Sequence, residues 1–107
     1  IGVKRGNYII KKAILINCGD KAISSGEHSS THIKNSEISR SESGIIAKDS
    51  SEVTVNKLDY NGGEKCIHSY RGKFNYSGST IFLNKKKTNC GNGKILRDNN
   101  SEIIIKN

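Results

Sequence analysis

Proline is absent from this 107-residue chain, alanine occurs three times, and no apolar run exceeds the four residues Ala13 to Ile16. Scarce alanine beside abundant Ile, Ser, Asn and Lys suits short strands with polar corners better than helices. Runs this short exclude a membrane-spanning helix, which needs about 20 consecutive apolar residues. They also leave no signal sequence. Leucine is sparse, so a leucine-rich repeat, which needs leucine at several fixed places, is excluded. No six-residue beat runs through the chain, which excludes a left-handed hexapeptide helix. With 33% hydrophobic residues the chain is poor in core material for a globule. At this length it makes at most one small domain.

The apolar residues present are mostly Ile and Val, and they recur at fixed places. Ile23, Ile45 and Ile67 are evenly spaced, and Ile33, Val55 and Ile105 each follow an isoleucine (Ile23, Ile45, Ile95) by ten. Their period of about 22 residues falls in the roughly 20–50 range of a solenoid, in which each repeat buries its apolar face only against its neighbours. Aligned by repeat, Ile23, Ile45, Ile67 and Ile95 form one inward column. Thr31, Val53, Ile81 and Ile103 form a second, and Ile33, Val55, Leu83 and Ile105 a third. Ile38, Tyr60 and Thr88 follow, with Ile16 at the same place in the preceding rung. The two-residue step within each strand is the β-period, so His32, Thr54, Phe82 and Ile104 face outward. Gly, Asn, Asp and Ser cluster between the strands, where turns are expected. The reading is an all-β, right-handed, single-stranded parallel β-helix of about four rungs. Residues 1–107 are expected to be one partial domain, the distal part of a longer protein with flanking rungs.

Stacked rungs lie about 4.8 Å apart. On this alignment Cys18 and Cys90 are equivalent but three rungs apart, too far to bridge. Cys66 falls at a small-residue position shared with Ala22 and Gly44. An odd count of three with these spacings matches neither a zinc knuckle nor a disulfide framework, so free thiols are expected. His28, His32 and His68 fall on different columns, which argues against a metal site. No serine has a paired base.

The stretches Asn17-Cys-Gly-Asp-Lys-Ala-Ile-Ser-Ser-Gly and Gly44-Ile-Ile-Ala-Lys-Asp-Ser-Ser-Glu-Val-Thr-Val, with Ile33-Lys-Asn-Ser-Glu-Ile, resemble the pectate-lyase-like superfamily of right-handed β-helices. They are similar to the distal rungs of bacterial surface- and polysaccharide-associated repeat proteins. That superfamily includes lyases, glycosidases, epimerases, phage tailspikes and non-catalytic surface proteins, so the resemblance implies fold more sharply than activity. Its glycosidase branch carries Gly-Asp-Asp-Ala-Ile. Here Gly19-Asp20-Lys21-Ala22-Ile23 keeps the first acid and puts Lys21 in place of the second, and Ser43-Gly44-Ile45 stands where Gly-His-Gly is expected. Hydrolysis needs an acid and a base, both carboxylates. No catalytic residue and no cofactor is assigned.

The spacing from Ile67 to Leu83 is sixteen where ten is the rule, so six residues bulge out. Insertions in solenoids map to loops on one face, often the binding face. This loop carries Tyr70, Arg71, Lys73, Phe74 and Tyr76: rings that suit sugar faces and cations that pair with carboxylates. Packing of those rings over the core is the alternative. Glu27, Asp49 and Arg71 fall in one corner column, with the carboxylates on adjacent rungs. That makes Glu27 and Asp49 a candidate Ca²⁺ pair, or else a solvated corner. The formal charge is +8, with ten Lys/Arg against four Asp/Glu in residues 54–107. Such a balance attracts anionic partners or keeps a β-surface soluble. No nucleic-acid module accompanies the charge. The function expected is a non-catalytic segment, extracellular or in the cell envelope, contacting acidic or neutral polysaccharide. The alternative is part of a lyase or epimerase on acidic polysaccharide, with Glu27, Asp49, Arg71 and Lys73 as the only grouping that serves. Both stack ends are expected to be bare.

Overall fold

The evenly spaced isoleucines do stack. In the computed structural model, which describes residues 1–107, Ile23 lies beside Ile45, Ile45 beside Ile67, and Ile67 beside Ile95. The second column is realised as Thr31, Val53, Ile81 and Ile103, and the third as Ile33, Val55, Leu83 and Ile105. Every strand pair is parallel, and the coil makes about five turns. The strands are β1 (Gly2–Ile10), β2 (Ala13–Ile33), β3 (Ser36–Lys48), β4 (Glu52–Val55) and β5 (Leu58–Asn61). They continue as β6 (Lys65–Tyr70), β7 (Thr80–Asn84), β8 (Thr88–Asn89), β9 (Lys94–Arg97) and β10 (Glu102–Lys106). A parallel β-solenoid buries the inward side chains of each turn against equivalent positions above and below. The resulting core is a thin rod of Ile, Val and Leu rather than a ball.

The coil changes direction at residues in left-handed backbone conformation. One corner carries Arg5, Glu27, His28, Asp49 and Ser50 at φ between 39° and 65°; Asn17 (φ 56°), Arg40 (φ 55°) and Gly62 (φ 75°) serve another. Non-glycine residues held there cost on the order of 1–3 kcal/mol each, so the surrounding structure has to over-determine them. Just past the first corner runs a ladder of hydroxyls, at positions where the sequence suggests turns. Ser29, Ser51, Ser79 and Ser101 are all at most 3% exposed. Ser25 Oγ meets Thr31 Oγ1 at 2.9 Å. Ser51 Oγ donates to the Ser25 carbonyl at 2.9 Å and Ser79 Oγ to the Ala47 carbonyl at 2.7 Å. Small hydroxylated residues fit this tight bend and satisfy its buried carbonyls, which would otherwise cost about 1–3 kcal/mol apiece.

Three details depart from the repeat alignment. A first turn, β1, pairs with β2 through Tyr8 on Thr31 and Ile10 on Ile33, so the coil has one turn more than the repeat count suggested. A bulge at Glu27 and His28, opposite Arg5, shifts the register by one, and Tyr8 stands where other turns carry Thr, Val or Ile. The fourth column is displaced: Leu15, not Ile16, lies beside Ile38, and Thr88 lies beside Leu58 rather than Tyr60. Ile16 accordingly faces outward at 54% exposure. The cause at Thr88 is a single 3-10 turn, Lys85–Lys87, which adds two residues before β8.

The same two-residue displacement overturns the free-thiol reading. Cys90 moves to the place beside Tyr60, and Cys66 and Cys90 form a disulfide with Cα atoms 5.5 Å apart. Cys18 stays free and exposed. Tyr60, the largest fully buried side chain, fills the space beside this bridge. Its hydroxyl donates to the carbonyls of Ser41 (2.7 Å) and Glu42 (3.1 Å). Glycine is required around it. A methyl carbon on Gly93 would stand 2.6 Å from the Tyr60 ring, and one on Gly63 would collide with the Ser41 carbonyl and the Tyr60 hydroxyl.

Candidate functional site

The six-residue insertion leaves the coil after Tyr70 and returns at Ser77. Lys48 lies beside Tyr70 and Glu52 beside Thr80, while the Ser50 amide donates to the Ser77 carbonyl. Carboxylates on the corner column tie the loop down. Asp49 Oδ1 accepts the backbone N–H groups of Gly72 and Lys73, both at 2.7 Å. Asp98, on the turn after the loop, accepts the Arg71 N–H at 2.8 Å and the Asn100 N–H at 3.1 Å. Burial alone would raise the Asp98 pKa, but the Arg71 amide, the Ser101 hydroxyl and the Asn100 amide outweigh it and hold it below the usual value.

Glu27 closes the loop onto the first turn. Its carboxylate meets Lys73 Nζ at 2.7 Å, Lys4 Nζ at 3.3 Å and Arg5 at 3.6 Å. The Tyr76 hydroxyl donates to it at 3.3 Å while accepting from Arg5 at 2.8 Å. Hydrogen bonds from Lys73 and Lys4 pull the Glu27 pKa down to about 2. With three cations around one carboxylate whose side chain is only 13% exposed, the group is an electrostatic knot joining residues 4, 5, 27, 73 and 76.

Between the first turn and the loop lies a cleft of about 560 Å³, lined by Gly2, Val3, Lys4, Ser24, Gly26, Glu27, Lys48, Asp49 and Lys73. Six of its nine lining residues are polar or charged, and three of those are lysines. The cleft is made by register: Lys4, Gly26 and Lys48 occupy one column on successive turns. Gly26 leaves the middle rung of that column bare, and the Lys48 stem folds across it, with Cε 3.5 Å from where a Gly26 methyl would sit.

Of the residues assigned from sequence, Lys73 lines the cleft and Tyr76 braces its rim. Tyr70 turns to His68, with ring centroids 4.4 Å apart, and Tyr76 to His28 at 5.1 Å. Phe74 projects from the loop tip at 90% exposure, and Arg71 is exposed beside Asp98. The three rings therefore do not form one platform. Glu27 and Asp49 do lie on neighbouring turns, but protein donors occupy both. Three cations on Glu27 leave that corner no net negative charge with which to hold Ca²⁺. Sequence reasoning missed Lys4 and Lys48, although each lies one repeat from Gly26. No family model, curated protein or solved structure matches the chain.

Proposed function

We propose that this chain is a non-catalytic β-solenoid segment that contacts carbohydrate through the cleft between its first turn and its loop, as part of a surface-associated protein of the pectate-lyase-like kind. The observation that carries the reading is the cleft itself, a recess of about 560 Å³ with three lysines and two carboxylates in its wall, and the exposed Phe74 ring follows Lys73 in the same loop. Its volume falls in the range of small-ligand sites, roughly 300–1,000 Å³. Charged groups set among apolar surface, with an exposed ring on the same loop, suit a hydroxyl-rich ligand that offers one apolar face.

The non-catalytic aspect of the reading rests on the carboxylates. A lyase or epimerase needs a base with a pKa near the working pH. Glu27 sits at about 2, and Asp49 receives two short amide hydrogen bonds. Both behave as anchors for the loop. The Cys66–Cys90 bridge supports an oxidising location such as the cell envelope or exterior, where disulfides persist.

The test is binding of the intact chain to a panel of neutral and acidic polysaccharides by titration calorimetry, repeated with Phe74→Ala and Lys73→Ala. At least one polysaccharide should bind, and each substitution should weaken it by about tenfold, the equivalent of about 1.4 kcal/mol. Binding untouched by both substitutions would remove the cleft from consideration. Release of unsaturated or epimerised sugar during the assay would replace this reading with the enzymatic one.

A further inference from the structure

The distribution of ion pairs across the cleft is uneven. All three salt bridges in the protein end on Glu27, and they engage Lys4, Arg5 and Lys73. Lys48, which also lines the cleft, has no carboxylate partner. It lies instead beside Lys21, and burial, then the Lys21 charge, depress its pKa. Five cations (Lys4, Arg5, Lys21, Lys48 and Lys73) thus gather around two carboxylates (Glu27 and Asp49). Three lysines against two carboxylates in its lining, with Arg5 and Lys21 close by, leave the recess net positive, which raises the local concentration of anions.

The type of cation narrows the chemistry. Planar carboxylates are best held by the arginine fork, which makes two parallel hydrogen bonds. The one arginine of the cluster, Arg5, does not line the cleft, and of the lysines that do, Lys4 and Lys73 share Glu27 while Lys48 has no salt bridge. The cations facing the open space are lysines, compact point charges that suit an anion with oxygens pointing in several directions. Gly26 adds no side chain of its own between them, and the Lys48 stem lies over that floor.

We infer that the cleft seats a tetrahedral oxyanion, a phosphate or sulfate ester carried by a polysaccharide, against Lys48 with Lys4 and Lys73 beside it. This rests on the carbohydrate reading above and adds the charged group that the ligand carries. Lys21 backs Lys48 and is answered electrostatically once the anion is present.

The experiment measures binding of the intact chain to five probes matched in length: a phosphodiester-linked glycan, a sulfated oligosaccharide, an oligouronide, a neutral oligosaccharide and a single-stranded oligonucleotide. The phosphate or the sulfate glycan should bind at least about tenfold more tightly than the oligouronide, and the tighter of the two identifies the ester. Lys48→Gln, which keeps the stem over Gly26, should cost about tenfold on that ligand. Lys86→Gln, which removes the same charge from the exposed 3-10 turn, should leave it unchanged. Equal losses in the two variants would reduce the effect to bulk charge and overturn the inference. An oligouronide or neutral glycan that binds as tightly as the esters would overturn it too, while leaving the carbohydrate reading in place. Failure of every glycan to bind, or tightest binding of the oligonucleotide, would overturn both.

Discussion

From Gly2 to Lys48 each paired residue lies beside a partner 22 or 23 places along, whereas from β4 onward the offset is 28 or more, reaches 30 at Leu58 and Thr88, and returns to 22 only between β7 and β10. The regular stretch uses the same solution repeatedly. Inward columns of Ile and Val interchange, and left-handed corners recur at equivalent places. In the irregular stretch each departure creates a fit found nowhere else in the coil. The loop at 71–77 builds the cleft wall, the 3-10 turn at 85–87 shifts Cys90 into reach of Cys66, and the glycine-lined space beside that bridge takes Tyr60. Repetition supplies the rod, and interruptions supply what is particular to this chain.

That contrast is most sharply tested by paired core substitutions. Ile45→Val removes a single methyl from a column made of isoleucines and should cost only about 0.5–1.5 kcal/mol. Tyr60 has no equivalent. Tyr60→Ala should cost about 3–5 kcal/mol, since the surrounding glycines offer no side chains to fill the void. Tyr60→Phe should cost about 1–3 kcal/mol by taking this donor from the Ser41 carbonyl, while the Glu42 carbonyl keeps the Glu64 N–H. Chemical denaturation of the three variants gives the comparison. A Tyr60→Ala loss no larger than that of Ile45→Val would mean that the irregular corner is as interchangeable as the rod.

The same division explains what could be read from the amino acids alone. The three inward columns were legible because the β-period of two and the length of the repeat act together, and a slip of one would turn every isoleucine outward. The six-residue insertion was legible as a break in that count. The 3-10 turn was not, because Lys85-Lys86-Lys87 reads equally as a solvated corner, and the Cys66–Cys90 pairing went with it. The loop was located correctly, but three aromatics in one loop say nothing about which way each ring turns. Tyr70 and Tyr76 found histidine partners on the coil instead. The cleft carried a signal that was overlooked: Lys4, Gly26 and Lys48, like Arg5, Glu27 and Asp49, recur once per repeat.

The disulfide gives the next largest effect. It closes a segment with a sequence separation of 24, and loop-entropy arguments put its contribution at about 3 kcal/mol. Cys90→Ser should therefore lower the thermal midpoint by roughly 10–20 °C in a domain of this size. Cys18→Ser, on the exposed free thiol, should leave it within about 0.5 kcal/mol of wild type. Thiol titration of the denatured, unreduced chain should find one reactive group. Three would contradict the pairing and return the corner to the free-thiol reading.

The smallest effect on global stability, and the one closest to the cleft, concerns Glu27. Its folded pKa of about 2 lies below the ordinary 4.5, so the folded state favours the ionised form, through the hydrogen bonds from Lys73 and Lys4. The stabilisation from the knot is then fully present above about pH 4.5 and is lost as pH falls through about 2. Because Lys73 and Tyr76 both belong to the loop, protonation should free the loop before the rod of isoleucines unfolds. Carbon-13 NMR should show the Glu27 carboxyl titrating near 2, with the Tyr76 ring signals moving at the same midpoint. Glu27→Gln should give the low-pH position of those ring signals at neutral pH, with the Ile23–Ile45–Ile67 column unchanged. A Glu27 midpoint near 4.5 would show that the cations do not hold it, and that Asp49 alone secures the loop through its two backbone hydrogen bonds.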